Sequence, residues 1–238
     1  MRKAWFIIIA LVFISAISYS EQIIDGNIYY DKFSLVLNGD GIVFSEQGKK
    51  YPFPSKNDEY LGIRKMVQAD LKGDGKKEYI LAVQLQGEKT VYPNGQFDVN
   101  PLFPHAVVLI CEPIGKHLRI MKSILVGGTQ PDFDLVDVTQ SGRKDVVAKG
   151  WDLPKWSFLK IVGWHDGRFK YLWNDEGDGI VEHILKIKDN GAAQIEVGVS
   201  NPNDSRTPVG PDHWKIWDWN GKKFVHTKDV PLTKEEKE

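Results

Sequence analysis

Oxygen-bearing side chains recur at regular spacing around a glycine in two segments of the chain. In the first segment, Asp70, Asp74 and Glu78 stand four residues apart, and Gly75 follows the second acid. Calcium binds about six to eight oxygens and prefers carboxylates that converge on it from one loop. The first segment therefore predicts a calcium-binding loop with these three carboxylates as ligands.

The second segment offers oxygens from Asp137, Thr139, Ser141 and Asp145 but only two carboxylates, which predicts weaker calcium binding. In the first segment Lys72 stands between the first two acids, where its ammonium group can bridge the carboxylates as an internal counter-ion. The alternative for both segments is a structural turn, in which Asp and Ser side chains accept hydrogen bonds from the local backbone. Calcium is the one cofactor that the sequence suggests.

The two segments are copies of one repeat. Asp70–Val83 and Asp137–Ala148 each run from an acid through a polar residue and a glycine to two basic residues, an acid and a strand-like run. A weaker third copy occupies residues 186–197. An apolar hairpin with a polar–glycine turn follows each copy, and such turns are strong hairpin signals. The turn glycines are Gly115, Gly167 and Gly221.

The predicted fold class is all-β, built from four-stranded antiparallel units, because short runs of Val, Ile, Tyr, Phe and Trp alternate with turn residues. Each unit is too small to bury both faces alone, so we expect neighbouring units to stack. The predicted organisation is a signal peptide at 1–20, a single β-repeat domain at 21–227 and a charged tail at 228–238. Within the domain, a hairpin at 33–46 precedes units at approximately 65–126, 132–174 and 183–227.

The loop and the strand after it resemble the FG-GAP/VCBS-type repeat of integrin-like β-propellers, whose pattern is Asp-x-Asp/Asn-x-Asp/Asn-Gly-x-x-Asp. The resemblance covers about a dozen residues of each unit, and it implies a blade-like sheet, often with calcium in the loop. Three and a half units cannot close the seven-bladed ring common in that family. The resemblance therefore implies a small or incomplete β-propeller, either a four-bladed ring completed by the first hairpin or an open array. A repeat-derived β-sandwich is the alternative.

The amino-terminal residues predict export. Arg2 and Lys3 precede an apolar run from Ala4 to Ile17, and small residues follow at Ser18 and Ser20. This order is typical of a secretory signal peptide cleaved before residue 21, with an uncleaved anchor as the alternative. We therefore expect a periplasmic or secreted protein without a membrane anchor after cleavage.

Composition and motifs narrow the classes of function. The composition is that of a globular protein, and the net charge of −1 argues against a nucleic-acid partner. No His-Glu-x-x-His or Gly-x-Ser-x-Gly motif is present, and no catalytic residue is assigned. The single cysteine, Cys111, stands in an apolar run, which predicts a buried and unreactive thiol.

The connections between the second and third strand of each unit predict the binding surface. They span residues 86–105, 150–157 and 200–213, and their equivalent positions in the repeat put them on one face. Seven of the eight tryptophans follow residue 150, and several flank these connections. The candidate ligand-binding residues are Asp98, His105, Trp151, Asp152, Trp156, Arg206, Asp212 and His213.

We therefore expect an exported binding or scaffold module whose ligand is an unknown protein or carbohydrate. Two alternatives come from other classes of function. One is a secreted hydrolase or lyase that acts on a polysaccharide or a phosphoester. The other is a structural component of the cell envelope.

Overall fold

The computed structural model describes residues 23–24, 27–28, 33–38, 41–46, 49–53, 62–84, 90–91, 97–98, 106–126, 129–152, 156–174, 180–200 and 211–232. Within these ranges the regular secondary structure is all β, which confirms the predicted fold class. No helix in the described part of the chain is long and apolar enough to cross a membrane.

The strands run from the amino terminus in the following order. The first eleven are β1 (Ile23–Ile24), β2 (Asn27–Ile28), β3 (Phe33–Asn38), β4 (Gly41–Glu46), β5 (Lys49–Phe53), β6 (Gly62–Ala69), β7 (Glu78–Gln84), β8 (Thr90–Val91), β9 (Phe97–Asp98), β10 (Ala106–Ile114) and β11 (His117–Leu125). The others are β12 (Thr129–Val136), β13 (Asp145–Asp152), β14 (Trp156–His165), β15 (Arg168–Asn174), β16 (Ile180–Ile187), β17 (Ala193–Val199), β18 (His213–Trp219) and β19 (Phe224–Pro231).

Three antiparallel units carry the repeat. Unit one is β6, β7, β10 and β11, unit two is β12 to β15, and unit three is β16 to β19. The predicted first hairpin does not form a separate blade. Strands β3, β4 and β5 extend the sheet of unit one to seven strands, and Val36 of β3 lies opposite His117 of β11.

The last strand continues to Pro231, so residues 228–231 belong to β19 rather than to the charged tail expected from their composition.

The central segments of the units form strands because their continuous apolar runs suit a sheet that is buried on both faces. In β7, Ile80 and Ala82 face unit two, whereas Leu81 and Val83 face the other way, toward Leu35 of β3. Side chains alternate between the faces of a strand, so a continuous apolar run fills two cores at once. The sheet of unit one bends so that β5 contacts β6, and this encloses the second of these cores.

Aromatic residues join the units face to face. Phe133 of unit two is fully buried against the apolar face of unit one. Between units two and three, the ring of Trp173 packs edge-on against Trp217 at 5.1 Å and Phe224 at 5.6 Å. Trp217 and Trp219 therefore pack against the core that lies between units two and three.

The three glycine loops of the repeat lie side by side. A Cβ on Gly73 in the first loop would lie 3.0 Å from Cδ of Arg143 in the second. The side-chain amide of Gln140 donates to the carbonyl of Asn190 in the third loop at 3.1 Å. Because each of these loops joins the first and second strands of a unit, the connections between second and third strands leave from the opposite end.

Unit three ends the row of units on a polar face. Lys186 pairs with Glu196 at 2.5 Å, and Asp218 accepts hydrogen bonds from Lys188 at 2.6 Å and Gln194 at 2.8 Å. A polar outer face is what the terminal unit of a repeat stack requires. Among the described strands, extensive contacts join unit two to both neighbours but do not join unit three to unit one. The described units form an open row rather than a closed ring.

Candidate functional site

The first glycine loop is organised around Asp70. Its carboxylate accepts backbone hydrogen bonds from Gly73 at 2.7 Å, Asp74 at 3.2 Å and Gly75 at 2.8 Å. Donation from Gly75, followed by that from Gly73, lowers the pKa of Asp70. Gly73 and Gly75 have φ of 74° and 80°, so both use the left-handed conformation that glycine adopts without strain.

Lys72 supplies the positive charge of this loop. Its ammonium group lies 2.9 Å from Glu78, 3.5 Å from Glu112 and 3.9 Å from Asp74. Glu78 is only 1% exposed, and its second oxygen accepts the N–H of Leu71 at 3.0 Å. The hydrogen bond to Glu78 raises the pKa of Lys72. Lys72 is thus the internal counter-ion that the sequence suggests.

The second loop keeps the turn but not the counter-ion. Asp137 accepts hydrogen bonds from the N–H groups of Ser141 at 2.9 Å and Gly142 at 2.8 Å. Asp145 is 3% exposed and accepts the N–H of Val138 at 3.0 Å and of Thr139 at 3.2 Å. Burial raises the pKa of Asp145 to about 6 despite these bonds, and the charge of Asp137 adds to the effect.

A comparison of the units explains this difference. The strand register places Glu112 of unit one beside Glu78, and it places Asp218 of unit three beside Gln194. Glu112 forms an ion pair with Lys72, and Asp218 forms one with Lys188. The register of β13 and β14 puts Gly163 at the equivalent position of unit two. A Cβ there would lie 2.3 Å from Oδ1 of Asp145, so the buried carboxylate fills the space of the missing side chain.

His165 lies next to this carboxylate. Its Nε2 would be 3.1 Å from the same Cβ, and the atom is buried with no hydrogen-bond partner among the described residues. His165 does not belong to the hairpin turn itself, and its side chain is partly buried. His165 is the last residue of β14, and the turn consists of Asp166 and Gly167.

The loops fit calcium poorly. In the first loop the ammonium of Lys72 lies among the carboxylates that would bind the ion, and both oxygens of Asp70 face backbone N–H groups. Across the described segments, no three His, Cys, Asp or Glu side chains are grouped so as to hold a metal. Calcium binding by the seven candidate ligands stays a prediction, and the hydrogen bonds favour the structural alternative.

The candidate ligand-binding residues lie mostly at the other end of the units. Trp151 and Asp152 end β13, and Asp152 lies opposite Trp156 at the start of β14. Asp212 immediately precedes β18, and His213 begins that strand opposite Val199. Asp98 ends the short strand β9. His105 and Arg206 lie outside the described residues, and the binding role of all eight residues stays a prediction.

A cleft of about 310 Å³ opens between units two and three. Its floor is formed by strands β12, β13 and β14, and its wall is β16. The floor residues are Asp134, Val136, Lys149, Gly150, Phe158 and Leu159, and the wall residues are His183, Ile184, Leu185 and Ile187. The cleft is absent from the sequence-based predictions, because its two sides come from different units.

The cleft lies beside the predicted binding surface and carries one ion pair. Lys149 and Gly150 immediately precede Trp151 along β13. Lys149 donates to Asp134, and this hydrogen bond lowers the pKa of Asp134. The rest of the lining is mainly apolar, so the cleft combines an apolar surface with the single ion pair of Asp134 and Lys149. The apolar residues on both faces of β16 were the sequence signal that could have indicated it.

The buried thiol has no role at this site. Cys111 is fully buried in β10, which confirms the predicted burial, and burial raises its pKa well above the usual range and so disfavours the reactive thiolate.

Known proteins do not assign the chain to a family. No family model matches the chain, and no curated protein matches it significantly. The likeness to FG-GAP/VCBS-type repeats rests on the residues of the glycine loop and of the strand after it.

Proposed function

We propose that the protein is an exported binding module of blade-like repeats, related in pattern to FG-GAP/VCBS-type repeats, and that it binds a partner in the cleft between units two and three. The observation that carries the proposal is the cleft itself, which runs between units two and three and includes Lys149 and Gly150 next to the second variable connection. Binding residues concentrate on loops held by a rigid scaffold, and here the stacked sheets provide that scaffold.

The lining supports recognition of a partner with apolar groups. Val136, Leu159 and Leu185 offer apolar surface, and the pair of Asp134 and Lys149 can orient a polar or charged group. Small binding sites generally combine an apolar lining with a few placed polar groups, in volumes of roughly 300 Å³ and above. The cleft is at the lower end of that range, which favours one or two side chains or a small ring over a large ligand.

Export is supported by the amino-terminal sequence. Arg2 and Lys3, the apolar run and the small residues before residue 21 have the order of a signal peptide. Expression in a bacterial host, followed by fractionation and mass spectrometry of the amino terminus, tests this part. Exported material beginning at residue 21 supports the proposal, and intact cytoplasmic material contradicts it.

The binding site is tested with a charge variant and a matched control. The purified protein is presented to arrays of peptides and of oligosaccharides, and each ligand found is titrated against Lys149→Ala and Lys170→Ala. Lys170 forms a similar exposed pair with Asp166 but lies in the hairpin β14–β15, away from the cleft. We expect Lys149→Ala to weaken binding about tenfold, the usual effect of one charged hydrogen bond. Equal affinity of the two variants would exclude the cleft.

A further inference from the structure

The glycine loops and the hairpin turns lie at the same end of the units. In unit one the strand register sets Tyr79, close after the first loop, opposite Cys111, and the hairpin turn at Gly115 follows shortly after. The registers of β13 with β14 and of β17 with β18 give the same order in units two and three. Because the three loops lie side by side, the loops and turns of all units form one surface, which we call the loop end.

Every unit contributes exposed cations to the loop end. Its six described segments hold twelve Lys and Arg residues against nine Asp and Glu residues, whereas the whole chain has a net charge of −1. These segments are 70–78, 112–119, 137–145, 165–170, 188–194 and 218–223. Seven of the cations are exposed and form no ion pair with a carboxylate of the described residues. They are Lys76, Lys77, Lys116, Lys144, Arg168, Lys222 and Lys223.

The carboxylates of the loop end have other partners. Those that pair with a different lysine are Asp74, Glu78, Glu112, Asp166 and Asp218. Asp70, Asp137 and the buried Asp145 accept backbone N–H groups of their own loops. Asp189 is the one carboxylate of this surface without a partner among the described residues. The seven cations are therefore uncompensated, and clustered charges of one sign attract an anionic partner.

Two exposed isoleucines stand among these cations. Ile114 is 50% exposed and directly precedes the turn of Gly115 and Lys116, and Ile187 is 46% exposed at the start of the third loop. The third large apolar side chain exposed in the described part of the chain is Val230, near the far end of β19. Proteins that bind at a membrane interface combine basic residues, which attract anionic headgroups, with apolar side chains that enter the acyl boundary.

We propose that the loop end docks on the surface of a lipid bilayer that contains anionic lipids. The lysines of the loops and turns face the headgroup phosphates, and Ile114 enters the interface. A soluble polyanion would match the charge but would make no use of exposed isoleucines. This surface is separate from the cleft, and docking through it turns the variable connections, at the other end of the units, away from the membrane.

Co-sedimentation with lipid vesicles tests the charges. The purified full chain is titrated with vesicles of phosphatidylglycerol and phosphatidylcholine, and with vesicles of phosphatidylcholine alone. Each basic residue near an anionic membrane contributes about fivefold in affinity, so Lys76→Gln/Lys77→Gln should bind about 30-fold more weakly. The matched control, Lys215→Gln/Lys228→Gln, removes two charges from β18 and β19 outside their turn and should change the affinity less than about twofold.

A second pair of variants tests the apolar contact. Ile114→Ser should weaken binding to the anionic vesicles about tenfold, because it removes a half-exposed apolar side chain from the interface. Val230→Ser is the control and should bind like the wild type. Ile187 stays unchanged, because it also lines the cleft. All variants share one amino terminus, so any contribution of the apolar run from Ala4 to Ile17 cancels in the comparison.

The expected result is binding to the anionic vesicles that weakens with added salt and in both loop-end variants, but not in the controls. Circular dichroism verifies that each variant is folded. Equal binding to both kinds of vesicle, or equal losses in the loop-end and control variants, would overturn the proposal. So would binding to a soluble sulfated polysaccharide or to DNA that requires Lys76 and Lys77 but not Ile114, without vesicle binding. The cleft is tested independently through Lys149.

Discussion

The buried carboxylate of Asp145 makes the stability of the fold depend on pH. The carboxylate is 3% exposed, and unit two lacks the lysine that neutralises the equivalent carboxylate of unit one. Its pKa is about 6 in the folded protein, against 3.8 without the fold. Between these values the folded state binds more protons than the unfolded chain, so the free energy of unfolding falls as pH rises. The stabilisation is complete below about pH 4 and is lost as pH rises through about 6.

The size of the effect follows from the two pKa values. Each pH unit between them corresponds to about 1.4 kcal/mol, so the contribution of Asp145 changes by about 3 kcal/mol from pH 4 to pH 7.5. Asp145→Asn keeps an oxygen for the N–H groups of Val138 and Thr139 but cannot ionise. We expect the free energy of unfolding of the wild type to fall by about 3 kcal/mol more than that of the variant over this range.

Denaturant unfolding, followed by tryptophan fluorescence at both pH values with EDTA present, measures the difference. EDTA keeps adventitious cations from the carboxylates. A second variant, Thr139→Lys, puts an ammonium group at the position of unit two that is equivalent to Lys72 of unit one. We expect it to reduce the pH dependence of the free energy of unfolding. Parallel pH curves for the wild type and Asp145→Asn would refute the reasoning.

Three further substitutions test the packing and the ion pairs by denaturant unfolding. Phe133→Ala leaves a cavity between units one and two and should cost about 3–5 kcal/mol. Lys72→Met leaves the buried Glu78 without its ammonium partner and should cost about 3 kcal/mol at pH 7.5. Gly163→Ala puts a methyl group 2.3 Å from Oδ1 of Asp145, and displacing that carboxylate should cost about 1–3 kcal/mol.

An exposed ion pair provides the control for these substitutions. Lys170 and Asp166 form a pair at the surface, and Lys170→Met should change stability by less than about 1 kcal/mol. Losses in the other variants no larger than in Lys170→Met would contradict the packing and the ion pairs described for them.

The repeat could be predicted because its signals are local. Gly115, Gly167 and Gly221 lie in the hairpin turns at positive φ, and the spacing of Asp70, Gly75 and Glu78 marks the first loop. The role of Lys72 could also be inferred, since an ammonium between carboxylates of one loop has few other partners.

Features that depend on distant residues could not be predicted. The pairing of β3 with β11 brings Val36 to His117 across 81 residues, and no turn specifies it. The cleft is lined by Lys149 of unit two and Ile184 of unit three. These residues are distant in the sequence and belong to different hairpins. His165 becomes half-buried because Gly163 leaves room beside Asp145, a relation visible only once the register of β13 and β14 is known.

Side-by-side stacking of the glycine loops underlies the whole arrangement, because it places the variable connections at the opposite end of the units and sets units two and three face to face across the cleft. Nuclear Overhauser effects in solution test it most directly. We predict contacts between the Hα protons of Gly73 and the Hδ protons of Arg143, and between Gly191 and the side-chain amide of Gln140. Absence of both contacts in a protein that retains the cross-strand contacts within each unit would contradict the stack.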